Sequence, residues 1–286
     1  MGDGGTIVLY GGEDDTGYLS DTWTWNGLSW TQQNVTGPGV RTRASMATLN
    51  DTVVLFGGAL LNAAQPSDTW TWNGSSWTQQ SVTGPIARAD AAMATLKGTV
   101  VLFGGYNAYA RSLSDTWTWD GTIWTQQNVT GPSARGFASM ATLNGIVVLF
   151  GGQNDDHGTD LSETWTWDGT SWTQQDVTGP SARDSASMTA VNGTLVLFGG
   201  GYAYALNDTW TWNGSSWAQQ HVAGPGARAG AAMATLDGSA VLFGGRDATG
   251  QLVNGTWTWN GTIWTQQNVA GPSARAGAAM ATLGAP

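Results

Sequence analysis

Short apolar runs and strictly alternating runs follow one another along this chain, and helical periodicity appears nowhere. Thr6-Ile7-Val8-Leu9-Tyr10-Gly11-Gly12 is apolar, β-branched and closed by paired glycines. That pattern predicts a buried strand, b, ending where the backbone needs positive φ or a close approach. After a loop, Asp21-Thr22-Trp23-Thr24-Trp25 alternates two strand-forming residue types and predicts strand c. Asn26-Gly27 signals a tight hairpin into strand d, Ser29-Trp30-Thr31-Gln32-Gln33. Gly37-Pro38 breaks the ladder. Arg41 to Leu49 then reads as strand a, and Asn50-Asp51 turns the chain into the next b.

This four-strand sentence is written six times. The first of the paired glycines recurs as Gly11, Gly57, Gly104, Gly151, Gly199 and Gly244, a period of about 47. A unit of that size cannot bury a core alone, so the six must close on one another. The units run over about 5–50, 51–97, 98–144, 145–192, 193–237 and 238–284, and form one domain over 1–286. The prediction is an all-β, six-bladed propeller of four-stranded antiparallel blades. Strand a carries small residues (Ala44, Ser45, Ala47) and belongs at the crowded axis. Strands c and d carry all 18 Trp and belong outside. The chain starts on a b without an a and ends on an a without a b, so pairing of the two terminal strands would complete a blade and remove two open edges.

Composition and the chain's apolar content change the picture in four places. Twenty acidic against ten basic residues give a net charge of −10, which disfavours nucleic acid and anionic membranes as partners. The chain has no Cys, so disulfides and Cys-ligated metals are excluded. No apolar run approaches the roughly 18 residues of a membrane-spanning helix. Met1-Gly2-Asp3-Gly4 lacks the features of a signal peptide.

Variation is confined to one face. Trp23 to Gly57, Trp70 to Gly104, Trp117 to Gly151, Trp165 to Gly199 and Trp210 to Gly244 are each 34 residues apart, so the copies differ in length only in the b–c loop. The b–c and d–a connections share a face, and loops on a rigid scaffold are where binding residues sit. Candidates there are Tyr106, Tyr109 and Arg111, Asp155, Asp156 and His157, Tyr202 and Tyr204, and Arg246. Strand a begins on the same face, two residues past its repeated Arg, at Arg43, Asp90, Phe137, Ser185, Gly230 and Gly277, with Asp184 adjacent. These six share almost nothing chemically.

The double glycine after an apolar strand, the aromatic strand c, the Trp of strand d and the Arg before strand a resemble kelch-repeat propellers over essentially the whole chain. The runs Val-Leu-Phe-Gly-Gly and Asp-Thr-Trp-Thr-Trp resemble those of bacterial kelch-like repeat proteins, with an extracellular or cell-surface setting as the expectation. Near-identity of the units also fits recent amplification or consensus design. The resemblance implies a protein or small polar ligand on the b–c/d–a face, and a few relatives are enzymes. The copper-radical oxidases need a Cys–Tyr crosslink, which this chain cannot make. The iron-dependent specifier motif Glu-x-x-x-Asp-x-x-x-His follows neither Glu13 nor Glu163. A sugar epimerase or lyase activity at the channel mouth, using Arg43, Asp90, Asp184 and His157, is the rival reading. A multivalent lectin is a third, which the differing loops disfavour.

The repeated residues themselves read as structure. A buried Trp removes about 150–250 Å² from water, worth very roughly 4–6 kcal/mol, so the Trp triplets read as interblade core rather than sugar platforms. The arginines pair on paper with the acids that open strand c: Arg41–Asp68, Arg88–Asp115, Arg135–Glu163, Arg183–Asp208 and, across the closure, Arg275–Asp21. Arg228 has Gly255 in the acid's place. Met46 and its five equivalents read as core filling. Two His in different units exclude a His-rich metal centre, and Asp155, Asp156 and Asp160 match no EF-hand spacing. The expectation is a monomeric, non-catalytic binding or scaffold module without a cofactor.

Overall fold

The computed structural model describes residues 5–62, 64–154, 158–201 and 204–284. Six four-stranded antiparallel sheets form a closed β-propeller, and the described residues contain no helix. The second blade shows the plan: strand a is Ser45–Leu49, b is Thr52–Phe56, c is Thr69–Trp72 and d is Trp77–Gln80. The first blade is shared by the two ends of the chain. Its strand a, Ala279–Leu283, pairs antiparallel with its strand b, Thr6–Tyr10, in the register Thr6↔Leu283 to Tyr10↔Ala279. The closure expected from the repeat phase is therefore formed.

The cores lie between blades. One cluster gathers Val8 and Tyr10 from the first blade with Met46, Val53, Leu55, Trp72 and Trp77 from the second. The three Trp of each unit play different parts. Trp25 and its equivalents are fully buried, and Trp30 and its equivalents nearly so. Trp23 and its equivalents are half-buried. Each strand-d indole also crosses to the neighbouring blade, as where Trp77 Nε1 donates to Thr22 Oγ1 at 2.9 Å. The expected burial of the Trp triplets is met, and none of them is an exposed platform.

The strand boundaries and turns differ from the expectation in two ways. Strand a starts four residues later than Arg41, because residue 43 adopts φ 58° and cannot continue a strand. The c–d connection is also not a two-residue hairpin. Trp25 pairs with Trp30 across four residues, and Asn26 Oδ1 accepts from the amides of Leu28 and Ser29, both at 2.9 Å. An Asx turn thus replaces the tight turn. The two-residue turn with positive φ at both positions belongs to a–b, as at Asn144 and Gly145 (φ 50° and 74°), between the paired Leu143 and Ile146.

The paired glycines answer to both needs that the sequence raised. Gly151 has φ 68°, and a Cβ on it would lie 2.5 Å from the carbonyl oxygen of Arg183. The next glycine's amide, Gly152, donates to that same carbonyl at 3.0 Å. Glycine pair and arginine are thus halves of one joint, and they recur together for that reason.

Candidate functional site at the channel mouth

Where the d–a connection reaches the axis, six residues take the left-handed conformation: Arg43 (58°), Asp90 (58°), Phe137 (57°), Ser185 (51°), Gly230 (63°) and Gly277 (63°). Their backbones join hand to hand around the axis. Asp90 N donates to Arg43 O, Phe137 N to Asp90 O, Ser185 N to Phe137 O and Gly230 N to Ser185 O, each at 3.0 Å. Gly277 N donates to Gly230 O at 2.9 Å, and Arg43 N closes the circle on Gly277 O at 2.7 Å. All six blades therefore present the same backbone here, with different side chains.

The residue just before each ring position bridges to the b–c loop of its own blade, as in Ala89↔Tyr106, Gly136↔Gln153 and Glu13↔Ala276. Arg228–Ala229 pairs likewise with Arg246–Asp247. These bridges draw Glu13, Tyr106 and Arg246 in towards the ring. The result is a cavity of about 220 Å³ at the mouth, lined by Arg43, Asp90, Phe137, Ser185, Glu13 and Arg246 over an alanine wall that includes Ala44, Ala91 and Ala138. A second, adjoining hollow of about 470 Å³ shares Arg43, Asp90 and Phe137 and extends past Tyr106 and Asn107 to Gln153. Farther down the axis, Met, Ala and Thr from every strand a line a narrower space of about 170 Å³. The methionines, expected as core filling, pack in the blade interfaces and also face this channel.

The mouth has a defined polar order. Arg43 lies 3.9 Å from Asp90 and carries its guanidinium over the Phe137 ring, 5.4 Å from the centroid. Phe137 in turn meets Tyr106 at 5.5 Å, and Tyr106 fixes its hydroxyl on Gln153 O at 2.8 Å. Arg246 is tied to Glu13 at 3.0 Å. The Asp90 side chain is only 8% exposed. Burial pushes its pKa up to about 7, with Asp184 and Glu13 adding to the rise and Arg43 opposing it.

Of the sequence candidates, Arg43, Asp90, Phe137 and Arg246 line the mouth, and Tyr106 lines the adjoining hollow. Asp184 is buried beside them and acts on Asp90 through its charge. Tyr109, Arg111 and Tyr204 point to solvent on the outer loops and line neither space. Asp155, Asp156, His157 and Tyr202 lie outside the described residues. Glu13 opens the variable b–c loop Glu13-Asp14-Asp15, and Gln153 sits in another; the loop–loop bridges, which no local pattern signals, bring both to the ring. Among the described residues, no three His, Asp or Glu side chains gather as a metal site.

The repeated arginines belong to the framework, in the pairs expected. Arg41–Asp68 meet at 2.8 Å and Arg135–Glu163 at 2.5 Å. Arg88–Asp115, Arg183–Asp208 and Arg275–Asp21 each meet at 2.6 Å. Each arginine precedes strand a rather than lying in it, and its fork reaches across the double glycine, donating also to that glycine's carbonyl, as Arg88 does to Gly104 O at 2.9 Å.

A closed propeller with an invariant frame and one variable, hollowed face belongs to the class of repeat-built β-propellers. More specifically, the chain belongs to the family of the KLHDC2/KLHL20/DRC7 Kelch-repeats domain, whose model matches residues 62–217. Kelch propellers of this kind commonly serve as protein-binding scaffolds. No curated protein matches the chain. No helix among the described residues is long and apolar enough to cross a membrane.

Proposed function

We propose that this protein is a non-catalytic binding module that holds a protein segment or a small polar ligand on its b–c/d–a face, centred on the channel mouth. One observation carries the reading. At the six ring positions the backbone is left-handed in every blade, and glycine meets that demand at Gly230 and Gly277. Arg43, Asp90, Phe137 and Ser185 hold the same conformation against their intrinsic preference, at a cost of order 1 kcal/mol each. A fold that needs only the backbone ring has no use for a buried Asp or a cation–aromatic pair there. A ligand does. The mixture of one cation, one buried carboxyl and one aromatic ring suits a polar partner with an apolar part, such as a peptide turn.

The test is selection of ligands from a displayed peptide library and a metabolite panel against the intact protein, followed by substitution. Phe137→Ala and Arg43→Ala should weaken capture at least tenfold while the melting temperature stays within a few degrees. Lys97→Ala on the opposite face should leave capture unchanged. Equal losses from all three, or no loss from the first two, would reject the reading.

A second reading has the Asp90 carboxyl behind it. A group in a cleft that titrates near neutral pH can move protons, the requirement for an epimerase or lyase at this mouth. Turnover of a sugar substrate that Asp90→Asn abolishes would establish it in place of the first.

A further inference from the structure

Five blades close the same clamp on an acid of their own. In the third blade Arg88 Nη1 and Nη2 grip Asp115 Oδ1 and Oδ2 at 2.6 and 2.7 Å, and Trp117 Nε1 donates to Oδ2 at 2.7 Å. The fourth blade does this with a longer arm. Arg135 Nη2 and Trp165 Nε1 meet Glu163 Oε2 at 2.5 and 3.1 Å. The clamp therefore accepts a carboxylate presented from two different distances. It also opens to water, since these acids keep between 19% and 35% of their side chains exposed.

The sixth blade has the clamp and no acid. Arg228 is 7% exposed and held in its usual place, with Nε donating to Gly226 O and Nη1 to Gly244 O, both at 3.0 Å. It forms no ion pair among the described residues. Trp257 Nε1 makes no hydrogen bond among them either. The space between is bounded by these two groups: a Cβ at Gly255 would stand 3.2 Å from Trp257 Nε1 and 4.0 Å from Arg228 Nη1. Nothing in the backbone demands glycine there, because Gly255 lies outside the left-handed region. Asp247 is the carboxylate that acts on Arg228 by charge, but its own oxygen is engaged by Thr249 and the Gln251 amide. Burial lowers the Arg228 pKa to about 10, against the pull of Asp247, as expected of a cation with too little negative charge near it.

We propose that the sixth blade carries a binding site for a small carboxylate, formate or acetate, gripped by the Arg228 guanidinium and the Trp257 indole N–H where the other blades hold an Asp or Glu. A planar carboxylate matches the guanidinium fork in two hydrogen bonds and leaves an oxygen lone pair for the indole, as the Asp115 carboxylate does. Glycine supplies the room for a carboxylate that is not attached to the chain. The site lies at the start of strand c, in the blade's own sheet, and owes nothing to the ring residues of the mouth.

The experiment is a titration of the intact ¹⁵N-labelled protein with sodium formate, against sodium chloride at the same ionic strength. The Trp257 indole resonance is assigned by its disappearance in Trp257→Phe. Formate should shift that resonance saturably, half-maximal at about 1 mM or above, the limit for so small a ligand. Chloride should not reproduce the shift. Gly255→Asp, which restores the residue found in four other blades, should carry the shifted resonance without formate, stop responding to it, and melt higher than the parent. The proposal is overturned if the resonance does not move with formate, if chloride moves it equally, or if Gly255→Asp still responds as the parent does.

Discussion

Every letter of Asp-Thr-Trp-Thr-Trp has a separate task. Asp21 takes the Arg275 fork and the Trp23 indole, and Thr22 accepts the Trp77 indole from the next blade. Thr24 accepts from Gln33 Nε2 at 2.8 Å, and Trp25 fills the interface. The motif is thus a polar network wrapped around one buried ring. Asp115→Ala should cost about 2–4 kcal/mol, because it strands the fully buried Arg88, with a discount for an acid one-fifth exposed. Arg228→Met should cost clearly less, having no acid to abandon. Chemical denaturation of the two variants side by side measures the difference.

The carboxyls give opposite pH signatures. Burial would raise the pKa values of Asp115, Asp208 and Glu163, but hydrogen bonds and charge from their arginines win and hold all three below the ordinary value. A depressed carboxyl stabilises the fold above its unfolded pKa and stops doing so as pH falls through its folded value, so these pairs fail in acid below about pH 4. Asp90 runs the other way. With its pKa raised to about 7, the folded state binds the extra proton, and stability declines as pH rises from about 4 to 7. Asp90→Asn should therefore raise the melting temperature at pH 8 and change it little at pH 4. An equal effect at both would show that Asp90 is not held protonated.

At the scale of the strand, the decisive joint is the one between double glycine and arginine. Gly151→Ala would have to hold φ 68° and push its methyl into the Arg183 carbonyl, whereas Gly214, at φ 105°, has nothing within 4 Å of its Cβ position. The first should cost at least about 3 kcal/mol and the second about 1 kcal/mol, the strain alone. Similar melting temperatures for the two would contradict the joint. This scale is also where the sequence was most readable. Apolar runs, Thr–Trp alternation and glycine pairs placed b, c and d to within a residue, because each is a local consequence of backbone and burial. It was least readable at the d–a connection. Arg41 to Ala44 follow the strand pattern in composition, but a ring hydrogen bond and a left-handed residue, set by the neighbouring blades, end the strand there. The Thr22–Trp77 and Thr24–Gln33 bonds were equally hidden, since threonine is a good strand former whether or not its hydroxyl has a task.

For the whole molecule, two circular features replace a central core. The terminal strands close the outer circle of blades, and the six ring amides close an inner one. Removing the chain from Ala276 onward takes away the partner of Thr6–Tyr10 and one link of the ring, and leaves buried Ile7 and Leu9 beside an open edge. Aggregation or a large fall in melting temperature should follow, read by light scattering during a thermal ramp. A truncated protein that stays monomeric and melts unchanged would refute closure by the chain ends. The candidates on the b–c face were legible as a set, because length variation marks it. Which of them meet was not, since Arg43, Tyr106 and Phe137 belong to three different blades and only ring closure brings them within 6 Å of one another's groups.

The central claim is that the ring's backbone belongs to the fold and its side chains to a ligand. It is tested most directly by the melting temperature of a variant carrying Arg43→Gly, Asp90→Gly, Phe137→Gly and Ser185→Gly together. Glycine relieves the left-handed strain at all four positions and removes the buried Asp90 carboxyl, while the lost Arg43–Asp90 and Phe137–Tyr106 contacts and the added chain entropy offset that gain. The account predicts a melting temperature within a few degrees of the parent, or higher, at pH 7. A fall of about 10 °C or more would show that these side chains hold the propeller together, and would contradict it.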